Sequence, residues 1–171
     1  MKAIESVAIG TVSKVDAELG RIKVMFDFMT PPQESNWAPI ASLLAGKKTG
    51  ARFMPEEKDE VLVAFNQGNY EHPYVVGFLW NGKDKAPDDN QHNRLIVTPG
   101  GHQLRFEDKP GAKKVIVKTD GGLAITMDDT QKSIEIKDGS LTIIMNDTQK
   151  SIVISGGGRA VTMQGGQIKI T

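Results

Sequence analysis

The sequence predicts an all-β chain in two parts, a compact N-terminal segment and an elongated C-terminal stack of short strands. Three observations carry this prediction. The C-terminal third nearly repeats itself: Ile125-Thr126-Met127-Asp128-Asp129-Thr130-Gln131-Lys132-Ser133-Ile134 returns as Ile143-Ile144-Met145-Asn146-Asp147-Thr148-Gln149-Lys150-Ser151-Ile152, and Val161-Thr162-Met163 begins a third copy. Met127, Met145 and Met163 stand 18 residues apart, a constant period of the kind that builds stacked repeats. From Leu95 onward apolar and polar residues alternate strictly, whereas no stretch of the chain holds a long helical period.

In chain order, residues 4–12, 20–28, 59–66 and 73–80 are short runs rich in Val, Ile and Phe, bounded by Gly, Pro, Asn and Asp, the pattern of strands and turns. Residues 38–46, Ala-Pro-Ile-Ala-Ser-Leu-Leu-Ala-Gly, fit one short helix or turn closed by Gly46. About five strands within about 90 residues is the size of a small closed barrel of the oligonucleotide/oligosaccharide-binding (OB) type. The polar run from Asn81 to Gln91 follows as a linker, which puts an OB-type barrel at residues 1–92 and a second body at residues 93–171.

In that second body Leu104, Phe106, Val115 and Val117, then Leu123, Ile125, Met127, Ile134, Ile136, Leu141, Ile143, Met145, Ile152, Ile154, Val161 and Met163, and finally Ile168 and Ile170, fall on one face of eight short strands. The other face carries Arg105, Thr126, Asp128, Glu135, Thr142, Asn146 and Lys169, with Ile116, Ile144 and Val153 as apolar exceptions. Gly pairs and Asp-Gly steps such as Asp138-Gly139 and Gly165-Gly166 mark the turns. Burying a Leu or Ile contributes roughly 1.5 to 3 kcal/mol, so a sheet with one apolar face has to be covered. The chain offers neither an amphipathic helix nor a second set of strands for that task, so other copies of the chain are the expected cover. Three sheets closing a triangular prism would bury one face of each, giving an intertwined homotrimeric triangular β-helix whose core runs from Leu123 to Met163. A single-chain left-handed solenoid also has coils of about 18 residues, but it needs an apolar residue at about every sixth position. Here the apolar pairs alternate within two strands per repeat. Met163 to Ile168 is two residues shorter than Met127 to Ile134, which predicts a tighter turn in the third copy.

Composition narrows the function classes. With 171 residues and 39% apolar content, a compact part plus an elongated part fits better than one large core. Residues 1–90 hold 10 basic and 13 acidic side chains, a net −3, and residues 91–171 hold 11 and 8, a net +3. That polarity is too mild for a nucleic-acid or anionic-membrane footprint. Cysteine is absent, which excludes disulfides and thiolate chemistry. Met1-Lys2-Ala3-Ile4-Glu5 lacks the apolar run of a signal peptide, and no segment approaches the ~18 apolar residues of a membrane span. Assembly in the cytoplasm is the expectation.

No catalytic, cofactor or metal residue emerges. Acid–base catalysis needs two carboxylates, or a histidine and a partner, facing each other across a cleft. Asp128-Asp129 and Glu56-Glu57 are sequence neighbours, which on a strand point to opposite faces, and turn or solvent positions are expected for them. His72, His92 and His102 share no ligand spacing; only threefold repetition of His102 about an axis would build a metal site, and a hydrogen-bonded turn histidine is the expectation. Trp37, Trp80, Phe65 and Phe78 lie in apolar strand contexts with Lys47-Lys48 as the only basic pair nearby, which favours core packing and docking over base stacking. A glycan- or surface-binding trimeric adaptor would need exposed aromatics in the barrel loop Met29-Thr30-Pro31-Pro32-Gln33-Glu34-Ser35, which has none. A wall-degrading enzyme would require peptidoglycan hydrolysis that is lost on carboxylate substitution.

Several motifs follow one another in a telling order: Glu18-Leu19-Gly20-Arg21-Ile22-Lys23-Val24, then Asn36-Trp37-Ala38-Pro39, then Phe53-Met54-Pro55-Glu56-Glu57-Lys58-Asp59-Glu60-Val61, then Gly68-Asn69-Tyr70-Glu71-His72-Pro73 and Leu79-Trp80-Asn81-Gly82, and last Gly100-Gly101-His102-Gln103-Leu104. Their order resembles the baseplate spike proteins of contractile injection machines, namely the phage baseplate assembly protein V group and the barrel-plus-needle region of the valine-glycine-repeat (VgrG) spikes. The resemblance covers residues 8–118 closely and the rest by architecture; Lys58 stands where the family usually has glycine. It implies a structural, non-enzymatic central spike of a phage tail, a type VI-like system or an extracellular contractile injection particle. Large members carry a hub domain ahead of the barrel, so a separate hub protein is implied as partner here. About 20 residues join barrel and needle, too few for the muramidase that some spikes insert. Some short spikes end in a His-x-His metal apex, whereas Lys169, Ile170 and Thr171 stand at this end and are expected to dock a separate PAAR-type tip protein. Membrane puncturing, with only transient contact with the target membrane, is implied, and no cofactor or nucleic acid.

Overall fold

The computed structural model describes residues 7–171 and separates into two compact units, one ending at Ala86 and one spanning Pro87–Thr171. Residues 4–6 of the first expected strand, and the Met1–Glu5 stretch, lie outside the described residues. The division falls inside the polar run, ahead of the boundary expected after residue 92. Asp88 is tied forward in the chain: its carboxylate accepts from Asn93 Nδ2 at 3.1 Å and pairs with Arg105 at 2.9 Å.

The first unit runs through β1 (Val7–Asp16), β2 (Arg21–Phe26), β3 (Gln33–Glu34), β4 (Ala38–Pro39), β5 (Ala45–Gly46), β6 (Thr49–Gly50), β7 (Glu60–Asn66) and β8 (Asn69–Leu79). β1 lies antiparallel between β2 and β7, β7 pairs with β8, and β2 also takes β3 and β4. The ring closes where Ile40 bridges Val75 and Ala41 N donates to the Val75 carbonyl at 2.8 Å. Period-two alternation decides what goes inside: Ile22, Val24 and Phe26 from β2 and Val61, Val63 and Phe65 from β7 are buried, joined by Val12, Ala38 and Val75. Phe26, Phe65 and Tyr70 extend this core through aromatic contacts at centroid distances of 5.6 to 5.8 Å. Gly10 sits where β1 crosses closely over β2; a Cβ there would lie 2.8 Å from the Met25 carbonyl oxygen and closer still to Val24 Cγ1.

The short helix or turn expected over residues 38–46 is instead two strand fragments. Ala38–Pro39 adds to β2, and Ala45–Gly46 forms a small hairpin with Thr49–Gly50. The bond from Ala41 N to Val75 holds the segment against β8, and Leu43 and Leu44 face solvent rather than the core, so no helical apolar face forms. In the turn before β7, Lys58 has φ 82° while its N–H donates to Val12 O at 2.9 Å. Hydrogen bonding thus holds a lysine in the left-handed backbone that glycine adopts without steric cost.

The second unit is one antiparallel meander: β9 (Asn93–Val97), β10 (Gln103–Glu107), β11 (Lys114–Lys118), β12 (Ala124–Asp128), β13 (Ser133–Asp138), β14 (Leu141–Asn146), β15 (Ser151–Gly156), β16 (Arg159–Gln164) and β17 (Gln167–Ile170). It has nine strands where the alternation predicted eight. The extra strand, β9, escapes the pattern because Leu95 and Val97 stand opposite Arg105 and Gln103 on the polar face, leaving Ile96 alone opposite Leu104. The third repeat does turn more tightly: Gln164 pairs with Gln167 across Gly165-Gly166, with φ of 60° and 77°. In the first copy Asp128 and Ser133 are joined by the longer Asp129-Thr130-Gln131-Lys132 connection, which closes with Lys132 at φ 52°.

Candidate assembly surface

Cross-strand register gathers the expected core residues into two ladders. Met127 stands opposite Ile134, Ile134 opposite Met145, Met145 opposite Ile152, Ile152 opposite Met163 and Met163 opposite Ile168. Beside this Met–Ile ladder, Ile125, Ile136, Ile143, Ile154, Val161 and Ile170 pair in the same succession. Both ladders lie on one face because their members are two residues apart along each strand. The 18-residue repeat therefore spans two strands, and its methionines recur roughly 10 Å apart. Leu123 and Leu141 flank the ladders, and Leu141 reaches over Gly156, where any Cβ would collide with its Cδ2.

This face is open. Of the twelve residues from Leu123 to Met163 expected in the core, eleven are 37 to 54% exposed and Val161 is half-buried. The polar face is the better covered one: Asp128 and Ser151 are buried, and Thr126, Glu135, Ile144 and Val153 are half-buried. A groove of about 1050 Å³ runs over Met127, Ile134, Met145, Ile152, Met163 and Ile168.

The repeated turns are self-contained. Asp128 Oδ1 accepts from Thr130 N and Gln131 N, both at 2.9 Å, and Oδ2 pairs with Lys114 Nζ at 3.0 Å. In the second copy Asn146 Oδ1 accepts from Gln149 N at 2.8 Å. The Gln131 N–H and then the Lys114 ammonium hold the Asp128 carboxyl below the usual carboxylate range, and Asp128 in turn raises Lys114. Asp128 is thus a buried turn cap rather than a solvent residue. Asp129 pairs with Lys132 at 3.3 Å and Asp147 with Lys150 at 2.6 Å, while Glu56 and Glu57 are exposed. His102 Nδ1 accepts from Asp120 N at 3.4 Å across a hairpin end. Among the described residues no group of three or more His, Asp or Glu side chains is placed to hold a metal ion.

Lys169 and Ile170 lie in β17, the edge strand, with Thr171 directly after it. Lys169 stands opposite Thr162 on the polar face and Ile170 opposite Val161 on the apolar face. Ile168 and Ile170 are the most open apolar side chains of the sheet.

Of the core packing and docking expected for Trp80 and Phe78, the core packing does not hold. Trp80 is 70% exposed and Phe78 is also open; with Phe53 they line a cavity of about 330 Å³ rather than the core. Parity along β8 could have revealed it, since Val75 points inward while Tyr74, Val76 and Phe78 share the outward parity. Trp37 is half-buried beneath Arg21 and Lys23, whose cations lie 4.9 and 5.7 Å from its ring centroid. Those cations are themselves paired with Asp16 at 2.8 Å and Glu34 at 2.8 Å.

Residues 8–80, the barrel, match the family model of the Type VI secretion system/phage-baseplate injector OB domain. This barrel is an injector OB domain of the VgrG-like baseplate spike family. The chain is 30% identical over 113 residues to the type VI secretion system spike protein VgrG5 of Pseudomonas aeruginosa, covering 58% of this chain and 14% of that protein. It is 24% identical over 129 residues to the spike protein VgrG1b of the same organism, covering 67% of this chain and 17% of the relative. Against the spike protein VgrG3 of Vibrio cholerae it is 26% identical over 126 residues, 66% of this chain and 12% of that protein. The chain therefore spans less than a fifth of the length of these VgrG relatives. Each match takes in more of the chain than the injector OB domain holds, so the likeness runs into the second unit.

Proposed function

We propose that the chain is a structural central spike of a contractile injection apparatus. Three copies turn the open faces of their second units inward to form a triangular β-helical needle, and their barrels dock on a separate hub protein. The observation that carries this reading is the pair of Met–Ile and aliphatic ladders left bare on a one-layer sheet. Closing three such faces on one another removes both ladders from water and leaves the ion-paired, hydrogen-bonded face outward. Every strand but β9 and β17 already has two neighbours in the sheet, so a shaft made this way can fray only at its ends under axial load. With strands across the axis at a spacing of ~4.8 Å, nine strands give a shaft of about 40 Å.

The role is mechanical: sheath contraction drives the needle through the target envelope, with transient contact with the target membrane. Assembly takes place in the cytoplasm before the spike becomes part of the particle. The injector OB domain and the spike proteins among its relatives support this placement. A PAAR-type tip protein docks on three copies of Lys169, Ile170 and Thr171; the open edge of β17 and the exposure of Ile170 support that site. Deleting Lys169–Thr171 tests it. The trimer should persist in light scattering while capture of the tip protein is lost, and undiminished capture would move the docking site elsewhere.

A further inference from the structure

We infer that, within the trimer proposed above, neighbouring barrels clasp one another: the hairpin bearing Leu43 and Leu44 on one copy inserts into the Phe53–Phe78–Trp80 cavity of the next. The hairpin is built to project. Ala51 N donates to the Leu44 carbonyl at 3.1 Å and Ser42 Oγ donates to the Ala51 carbonyl, which fixes its base. Its apolar side chains remain bare, Leu43 at 94% and Leu44 at 61% exposure. Lys47 and Lys48 at the tip form no ion pair among the described residues.

The cavity has the opposite character. Phe53, Phe78 and Trp80 make its apolar wall, and Asp59, Glu60 and Asp84 bring three carboxylates to it against the single cation of Lys85. Glu60 and Asp84 likewise have no ion-pair partner among the described residues. Its volume of about 330 Å³ is large enough to take the two leucine side chains. The hairpin does not fill the cavity of its own chain, since Leu43 and Trp80 are both open. A basic apolar knob and an acidic apolar hole on one barrel make a matched pair whose halves belong to two copies. Such a contact joins two different surfaces, so it is heterologous, and it closes into a ring under the cyclic symmetry that the needle also requires.

The absence of cysteine makes a clean test available. In the full chain carrying Leu44→Cys and Trp80→Cys, at a concentration where light scattering gives a trimer, mild oxidation should yield covalent dimers and trimers on a non-reducing gel. Neither single-cysteine variant should do so. Adding Lys47→Glu and Lys48→Glu should slow cross-linking on the order of tenfold by setting like charges together, and Glu60→Lys with Asp84→Lys should restore it. A trimer that yields no inter-chain cross-link overturns the clasp alone, leaving the needle intact and the cavity to a different protein. Cross-linking indifferent to both charge reversals overturns the complementarity on which the clasp rests. A chain that scatters as a monomer overturns clasp and trimer together.

Discussion

Met145→Asp puts a charge at the middle of the Met–Ile ladder, between Ile134 and Ile152, with no cation among its cross-strand neighbours. Met145 is 39% exposed in the single chain, and full burial of such a side chain contributes about 1.5 to 3 kcal/mol, so about 0.6 to 1.2 kcal/mol of its burial is gained only on assembly. Summed over the eleven core residues at 37 to 54% exposure, closure offers about 7 to 14 kcal/mol per chain before the costs of association. The substitution removes the methionine share. It also places one unpaired carboxylate per chain on an apolar axis, at several kcal/mol each, three times per trimer. Per chain, the carboxylate penalty and the lost methionine share together take away a large part of the closure gain, and the cost of association draws on the remainder. Light scattering on Met145→Asp should therefore show loss of the trimer, while Met145→Leu, a volume-conserving exchange costing under about 1.5 kcal/mol, should keep it. Circular dichroism would check that the strands of the barrel persist. A Met145→Asp chain that trimerises as well as the parent would refute the inward placement of this face.

Three further outcomes bear on the barrel. Gly10→Ala forces a methyl against buried Val24 and the Met25 carbonyl and should cost about 1 to 3 kcal/mol in chemical denaturation; an unchanged midpoint would mean that the approach of β1 to β2 is loose. Lys58→Gly should raise stability by about 0.5 to 1 kcal/mol, because the roughly 1 to 2 kcal/mol cost of a left-handed lysine exceeds the entropy lost by glycine, and a lower melting temperature would contradict it. Glu34 is held down to about 2 from 4.5, by Lys23 first and then by Lys14 and Ser13. A depressed carboxylate stabilises the fold above its unfolded value and loses that contribution as pH falls through the folded one. The stability gap between the parent and Glu34→Gln should level off above pH 4.5, shrink as pH falls from there, and vanish below about pH 2; a gap that does not shrink between pH 4.5 and pH 2 would assign the effect to packing instead.

What the sequence made legible follows from where one interaction dominates. In β12 to β17 the alternation holds apart from Ile144 and Val153, and turns are dictated by Gly and by the Asp or Asn caps, so the apolar face and the tight third turn are legible in the sequence. β9 is not legible in the sequence because its apolar residues have mixed parity, and only pairing to β10 decides that Asn93–Val97 is a strand. Residues 38–46 fit a short helix or turn by composition, but the long-range bond from Ala41 to Val75 outweighs that weak local preference. For Trp80 and Phe78 the sequence leaves core packing and docking together, because β8 is apolar on both parities and which parity points inward depends on the closure of the barrel through Ile40. The turn position of Asp128 is legible from the sequence, but its burial needs Lys114 from the neighbouring strand, a partner fourteen positions away that no local pattern announces.

The central claim, that the bare face of β12 to β17 is covered by copies of the same chain, is met most directly by the solution mass of the intact chain from light scattering, measured beside a chain ending at Asn93. The account predicts three times the chain mass of 18.6 kDa for the intact protein and a monomer or weak oligomer once the ladders are removed. An intact chain that scatters at 18.6 kDa across the accessible concentrations would contradict it.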